Sequence, residues 1–394
     1  MLRPRRAVTL VLAGLAVAAA DGCRRSSTPA PSIDRTKYLQ AFGECALGTY
    51  RSFQGAAAEH AAAVTKLEAE PTEANRAAAR AAWEKAIDLW QQAEVMQIGP
   101  LSPTTLAGGK GLRDAIYSWP LFNRCFVEQN LVAKVHEDPA FATTALVSVK
   151  SLAANDYLLF HEGTENVCAA TSTINTDGSW AALTVEQLSA RRIAYAKVVS
   201  IDVSNQAQAL VDAWDPAKGN FLAALATAGS GSKVYPSQAL ATNAVSDAIF
   251  YLDTEVKDAK LAIPLALTVC TAVCPERLES QWAKRSKEHV RSNLIGFRKL
   301  LTGCGNDFSG LGFDDLLTAM GAGTVGKQMD ADTVAAIAAI DAVPFKTFDE
   351  ALVKDPASVR RVYDAIKRIT DALKTEFVGV LTLELPKRVA GDAD

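Results

Sequence analysis

The chain has 394 residues, 49% apolar and 22% charged, which is enough apolar surface to fold and excludes an intrinsically disordered protein. Lys and Arg number 41 against 44 Asp and Glu, and the weak field of a −3 net charge argues against a general nucleic-acid binder. The length predicts about two domains, and the low aromatic content (7%) with abundant alanine predicts an all-α protein.

Residues 1–22 read as an export signal. Arg3, Arg5 and Arg6 form a positive start, and Ala7–Ala20 is an uncharged apolar stretch too short to cross a bilayer. Ala20-Asp21-Gly22-Cys23 then looks like a bacterial lipobox, with Cys23 as the lipidated first residue of the mature chain, although Ala20 and Asp21 both depart from the usual pattern. Residues 23–33 are the lipidated cysteine and a small, polar, Pro-containing tether. Loss of 1–22 removes three Arg and Asp21 and moves the net charge from −3 to −5. The expected location is the cell envelope, exported, lipid-anchored, and periplasm-facing or at the outer membrane. No later segment has 18 uncharged apolar residues. Six cysteines follow the anchor (Cys45, Cys125, Cys168, Cys270, Cys274 and Cys304), an even number that predicts up to three disulfides in an oxidising compartment among 15 pairings.

Apolar residues from Tyr38 through Phe42, Tyr50, Phe53, His60 and Val64 to Leu67 recur every three or four positions, the stripe of one long helix. Pro71-Thr72 ends it and starts a second that runs to Ile98, with Trp83, Ile87, Trp90 and Glu94 on one face, stopped by Gly99-Pro100. The pair predicts an antiparallel hairpin, half of a four-helix bundle. A loop over 101–112 precedes helical regions near 113–134 and from Pro139 to about Phe160. The N-terminal bundle is expected over 34–165, a linker over the polar 166–183, and a C-terminal bundle over 184–394. In the second half a capping box at Thr184–Gln187 opens a helix to Trp214, followed by helices near 237–258, 275–302, 313–319, 331–340 and 356–376, with the last residues extended.

Direct signs of catalysis are absent from the pattern. His161-Glu162-Gly163-Thr164-Glu165 lacks the second His of a zinc hydrolase, because Glu165 stands where that His should be. His161 and Glu165 could still hold one metal from two positions, or the segment is a fraying helix end. His60 reads as a core residue, while His136 and His289 lie among charged neighbours with nothing to argue for chemistry. Glu94 is more telling, because a carboxylate on an apolar face needs a partner or a ligand. Asp156 raises the same question within Leu152–Phe160, which reads as a central helix apolar nearly all round. Two such carboxylates could hold a hard cation through oxygen, or each could pair with an arginine such as Arg113 or Arg124.

Taken in order, Ala82-Trp83, Trp90, Glu94, Gly99-Pro100-Leu101, Arg113-Asp114, Trp119-Pro120 and Ala154–Phe160 resemble the imelysin family of bacterial envelope proteins, in its predicted-lipoprotein branch. Lys260-Leu261, Pro264-Leu265, Glu279-Ser280, Ser286, Asn293-Leu294, Gly296-Phe297, Gly312–Leu317 and the terminal Gly391–Asp394 extend the likeness over most of the mature chain. The resemblance implies two tandem helical bundles facing each other across a cleft. It also implies a Gly-x-His-x-x-Glu hallmark that falls here on Ser151, Ala153 and Asp156, so that only a carboxylate survives. That departure weighs against the peptidase activity behind the family name. Other members are linked to iron uptake and to envelope transport partners, and the implied cofactor is a divalent or ferric metal ion. The resulting expectation is a non-enzymatic binding protein that holds a small ligand or metal ion between its bundles. Trp90, Glu94, Asp114 and Asp156 would line the first bundle, Lys260, Glu279, Ser286 and Asn293 the second, and Glu94 and Asp156 would be the metal ligands. The alternatives are a metallopeptidase of the imelysin type and a structural or docking lipoprotein.

Overall fold

A computed structural model describes residues 33–389, and the export signal, Cys23 and all but the last residue of the tether lie outside it. Ile33 onward forms one compact unit. Among the described residues there is no strand, and the protein is all-α. No helix among them is long and apolar enough to cross a membrane.

Helix α1 (Thr36–Ala69) and α2 (Glu73–Glu94) form the expected hairpin. Thr72 caps α2 by accepting from the Asn75 amide, which lets Pro71-Thr72 both end one helix and start the next. The 113–134 region is two helices, α3 (Leu112–Ile116) and α4 (Arg124–Ala133), because Pro120 cannot donate to a helix ladder. The 139–160 region is likewise broken, and only α5 (Leu152–Phe160) is a full helix. Every residue of α5 except Phe160 is buried, as its all-round apolar sequence predicts.

Helix α6 (Val185–Trp214) starts at the predicted capping box and lies along α1 and α5. The Tyr50 and Trp214 rings meet at 5.5 Å, and Lys197 reaches Glu68 at 3.0 Å. The helix that follows the polar stretch 166–183 thus packs on elements that precede it. Three apolar residues in and just after that stretch, Ile174, Trp180 and Leu188, pack together, and a Cys125–Cys168 disulfide ties the stretch to α4.

Helix α7 (Gln238–Ile249) leads into a π-helical segment, Leu252–Ala262, instead of running on as an α-helix to 258. The wider turn buries Asp253, Lys257 and Lys260 on one segment, an arrangement seen mostly at functional sites when helices loosen this way. The predicted helix over 275–302 is α8 (Ser286–Thr302) preceded by an irregular loop. Helices α9 (Phe313–Ala319), α10 (Gly323–Asp341), α11 (Phe348–Lys354) and α12 (Pro356–Ala372) close the second half. Helix α10 begins earlier than its periodicity predicts, α11 has no counterpart among the predicted helices, and Val378–Leu381 is helical before the extended tail.

The halves join where α8 lies on α2. Gly296 makes this possible, because a Cβ there would stand 2.4 Å from the Gln92 carbonyl oxygen. All six described cysteines are paired, as Cys45–Cys304, Cys125–Cys168 and Cys270–Cys274.

Candidate ligand site at the seam

One turn of α2 sends Gln91 into the seam while Trp90 turns into the apolar core, its ring 4.9 Å from that of Phe53. Lys260 arrives from the π-helical segment, His289 and Asn293 from α8, Glu279 from the loop before it, and Tyr117 from the residue after α3. All are buried. The Lys260 ammonium donates to Gln91 Oε1 (2.7 Å) and Asn293 Oδ1 (2.9 Å) and lies 3.0 Å from Glu279 Oε2. Glu279 Oε1 accepts from Gln91 Nε2 (2.9 Å) and the Tyr117 hydroxyl (2.7 Å), and His289 Nδ1 lies 3.0 Å from Oε2. A carboxylate can only accept here, which assigns the proton to His289 Nδ1. Burial alone would raise the Glu279 carboxyl, but Lys260 and His289 outweigh it and hold it far below the usual range.

Next to this network Glu94, wholly buried, takes both Nε and one Nη of Arg113 on its Oε1, at 2.8 and 2.5 Å. Burial raises the Glu94 carboxyl, and Arg113 and Lys260 oppose the rise. The hydroxyl of buried Tyr251 also donates towards Glu94 and opposes the rise. Arg113 also holds Asp114 at 2.9 Å, and both line a pocket of about 120 Å³ with Gln97 and Glu255.

Asp156 completes the site. Its Oδ1 accepts from the Ala283 amide (2.7 Å) and its Oδ2 from the Ser280 hydroxyl (3.2 Å), while Ser286 Oγ accepts from the Ser280 amide at 3.0 Å. Burial pushes the Asp156 carboxyl up to about 6, although these bonds and His289 pull it down.

The metal expected on Glu94 and Asp156 does not fit these donors. Arg113 occupies one carboxylate, and Ser280 and Ala283 the other. Among the described residues no three His, Cys, Asp or Glu side chains gather as a metal site needs. At the other weighed pair, Arg124 stands 3.1 Å from His161 Nε2, as close as Glu165 does, so a guanidinium takes the place a cation would fill. His161 is pushed down to about 4 by burial, then by Arg124 and Arg192. His60 is a core residue as expected, pushed down to about 3 by burial.

Of the residues singled out from the sequence, Lys260, Glu279 and Asn293 touch one another, Asp156 and Ser286 meet through Ser280, and Glu94 and Asp114 meet through Arg113. Trp90 lies in the aromatic core, and its Nε1 has no hydrogen-bond partner. Sequence reasoning misses Gln91, Tyr117, Tyr251 and His289. The first three carry no motif, but His289 follows Ser286 by three positions and precedes Asn293 by four, the spacing of a common helix face.

Iron-regulated protein A of Synechococcus elongatus is 24% identical over 298 residues, 75% of this chain and 72% of that protein. A crystal structure from Parabacteroides distasonis, assigned as an iron-regulated protein A precursor, superposes with a TM-score of 0.69 at 17% identity, covering 90% of this chain and 96% of its own. An imelysin-like protein from Psychrobacter arcticum does so at 0.65 and 14%, with 90% and 98% covered. Residues 46–375 match the sequence profile of the Imelysin family. With that match spanning most of its length, the chain belongs to the imelysin family.

Proposed function

We propose that this protein is a non-enzymatic binding protein of the cell envelope, acting in iron uptake, that takes a small ligand at the seam between its halves. The observation that carries this reading is the buried Glu94 carboxylate held by Arg113, which together with Asp114 walls a pocket of about 120 Å³ at the seam. Asp114 is half-exposed, so the pocket gives a small polar ligand access to the guanidinium that holds Glu94. The iron context comes from the names of the relatives. The envelope anchor comes from Cys23.

The test is native mass spectrometry with elemental analysis on protein purified from its native envelope. A bound small molecule or iron is expected in wild type and absent in Glu94→Gln. Wild type that carries neither, together with chelator-sensitive cleavage of a protein substrate abolished in Asp156→Ala, overturns the reading in favour of the metallopeptidase.

A further inference from the structure

At the far end of the first bundle, the start of α2, the end of α5 and the start of α6 enclose a second pocket of about 380 Å³. Arg76, Ser189 and Arg192 form part of its wall, as do Glu73 and Glu162, each engaged by an arginine. Arg192 is only 4% exposed, yet its two terminal nitrogens donate to neutral oxygens alone, the His161 carbonyl at 3.1 Å and the Tyr157 hydroxyl at 3.3 Å. Its Nε–H has no partner, and among the described residues no carboxylate pairs with it. The nearby acids are otherwise engaged. Glu162 is held by Arg80 at 2.7 Å, Glu73 lies 3.4 Å from Arg76, and Glu128 lies 2.7 Å from Arg124. A buried guanidinium without a counter-charge is expensive to maintain, and here it borders a cavity large enough for a small molecule.

From this we infer that the Arg192 pocket binds a small oxyanion, the carboxylate or phosphate group of a ligand, with Arg192 as the buried anchor. Arg76 joins from the rim, where it now donates to Ser189 Oγ at 3.2 Å, and Ser189 is freed to turn its hydroxyl to the anion. The site is separate from Glu94 and does not depend on the proposed seam ligand.

Titrating the full mature chain with acetate and, separately, inorganic phosphate, while following the Arg192 Nε–H resonance by NMR, tests the inference. A saturable shift is expected with at least one anion and not with chloride at equal ionic strength, and the tighter anion names the ligand class. Arg192→Gln should weaken binding by about tenfold or more, as for loss of a charge-assisted bond. Arg76→Gln, at the rim, should weaken it less and keeps the test valid if Arg192→Gln does not fold. Glu94→Gln should bind the anion as wild type does. A shift that merely follows ionic strength, or affinity unchanged in both arginine variants, overturns the proposal.

Discussion

Ser151 holds φ 86° and ψ 175°, a backbone region that in practice belongs to glycine. The resemblance to the family places its hallmark Gly at this position. The side chain offsets the strain by accepting from the Ser118 amide at 3.1 Å and, as a helix cap, from the Ala153 amide at 3.3 Å. Ser151→Ala keeps the strain and loses both acceptors, whereas Ser151→Gly relieves the strain. In urea unfolding the Gly variant should be the more stable of the two by about 1–3 kcal/mol. Asp156 makes a second prediction. Its folded carboxyl titrates near 6, above the ordinary 3.8, so the folded state binds the extra proton between those values. Stability should therefore fall as pH rises from about 4 to above 6, by up to about 3 kcal/mol. Asp156→Asn should remove that slope, and unfolding free energies at pH 4.5 and 7.5 in both proteins would show it.

At the scale of the helix, the α2–α8 contact depends on the missing side chain at Gly296. Backbone stands against it, so the clash cannot be relieved by a rotamer change. Gly296→Ala should destabilise by about 1–3 kcal/mol despite the better helix propensity of alanine, as read from the denaturation midpoint. Elements of this kind are legible where periodicity and caps agree, as in α1, α2 and α6. They are not legible where a tertiary contact breaks the run. The loop at 278–285 reads as helix from its residues alone, but Asp156, more than a hundred positions away, captures the Ala283 amide and the Ser280 hydroxyl. Glu94 and Asp156 stand out because carboxylates interrupt apolar faces. Gln91 sits within α2 and Tyr117 just past α3, and both acquire meaning only when Glu279 is brought to them.

For the molecule as a whole, the sequence indicates an all-α chain with paired cysteines, but the polar composition of 166–183 says nothing of where the next helix packs. Composition reports solvent exposure. It does not report that α6 returns to α1. The three disulfides differ mainly in the loop each closes, with separations of 259, 43 and 4 residues. On chain entropy they should contribute about 6, 4 and 2 kcal/mol. Paired Cys→Ala variants should accordingly lose thermal stability in that order, with Cys45→Ala/Cys304→Ala lowest in calorimetry.

That longest bridge also sets the direction in which the protein can breathe. It fastens the early part of α1 to the residue just past Gly303, near the end of α8 that rests on Gln92. The opposite end of α8 is held without a covalent link, by Arg285 through Glu84 and Asp88, by the grip of Asp156 on its approach loop, and by Trp282 packed between Phe122 and Tyr157. Any opening between the halves must therefore peel from Arg285 towards Gly296, like a book opened against its spine, and would uncover Glu279 before it loosened the stitched edge.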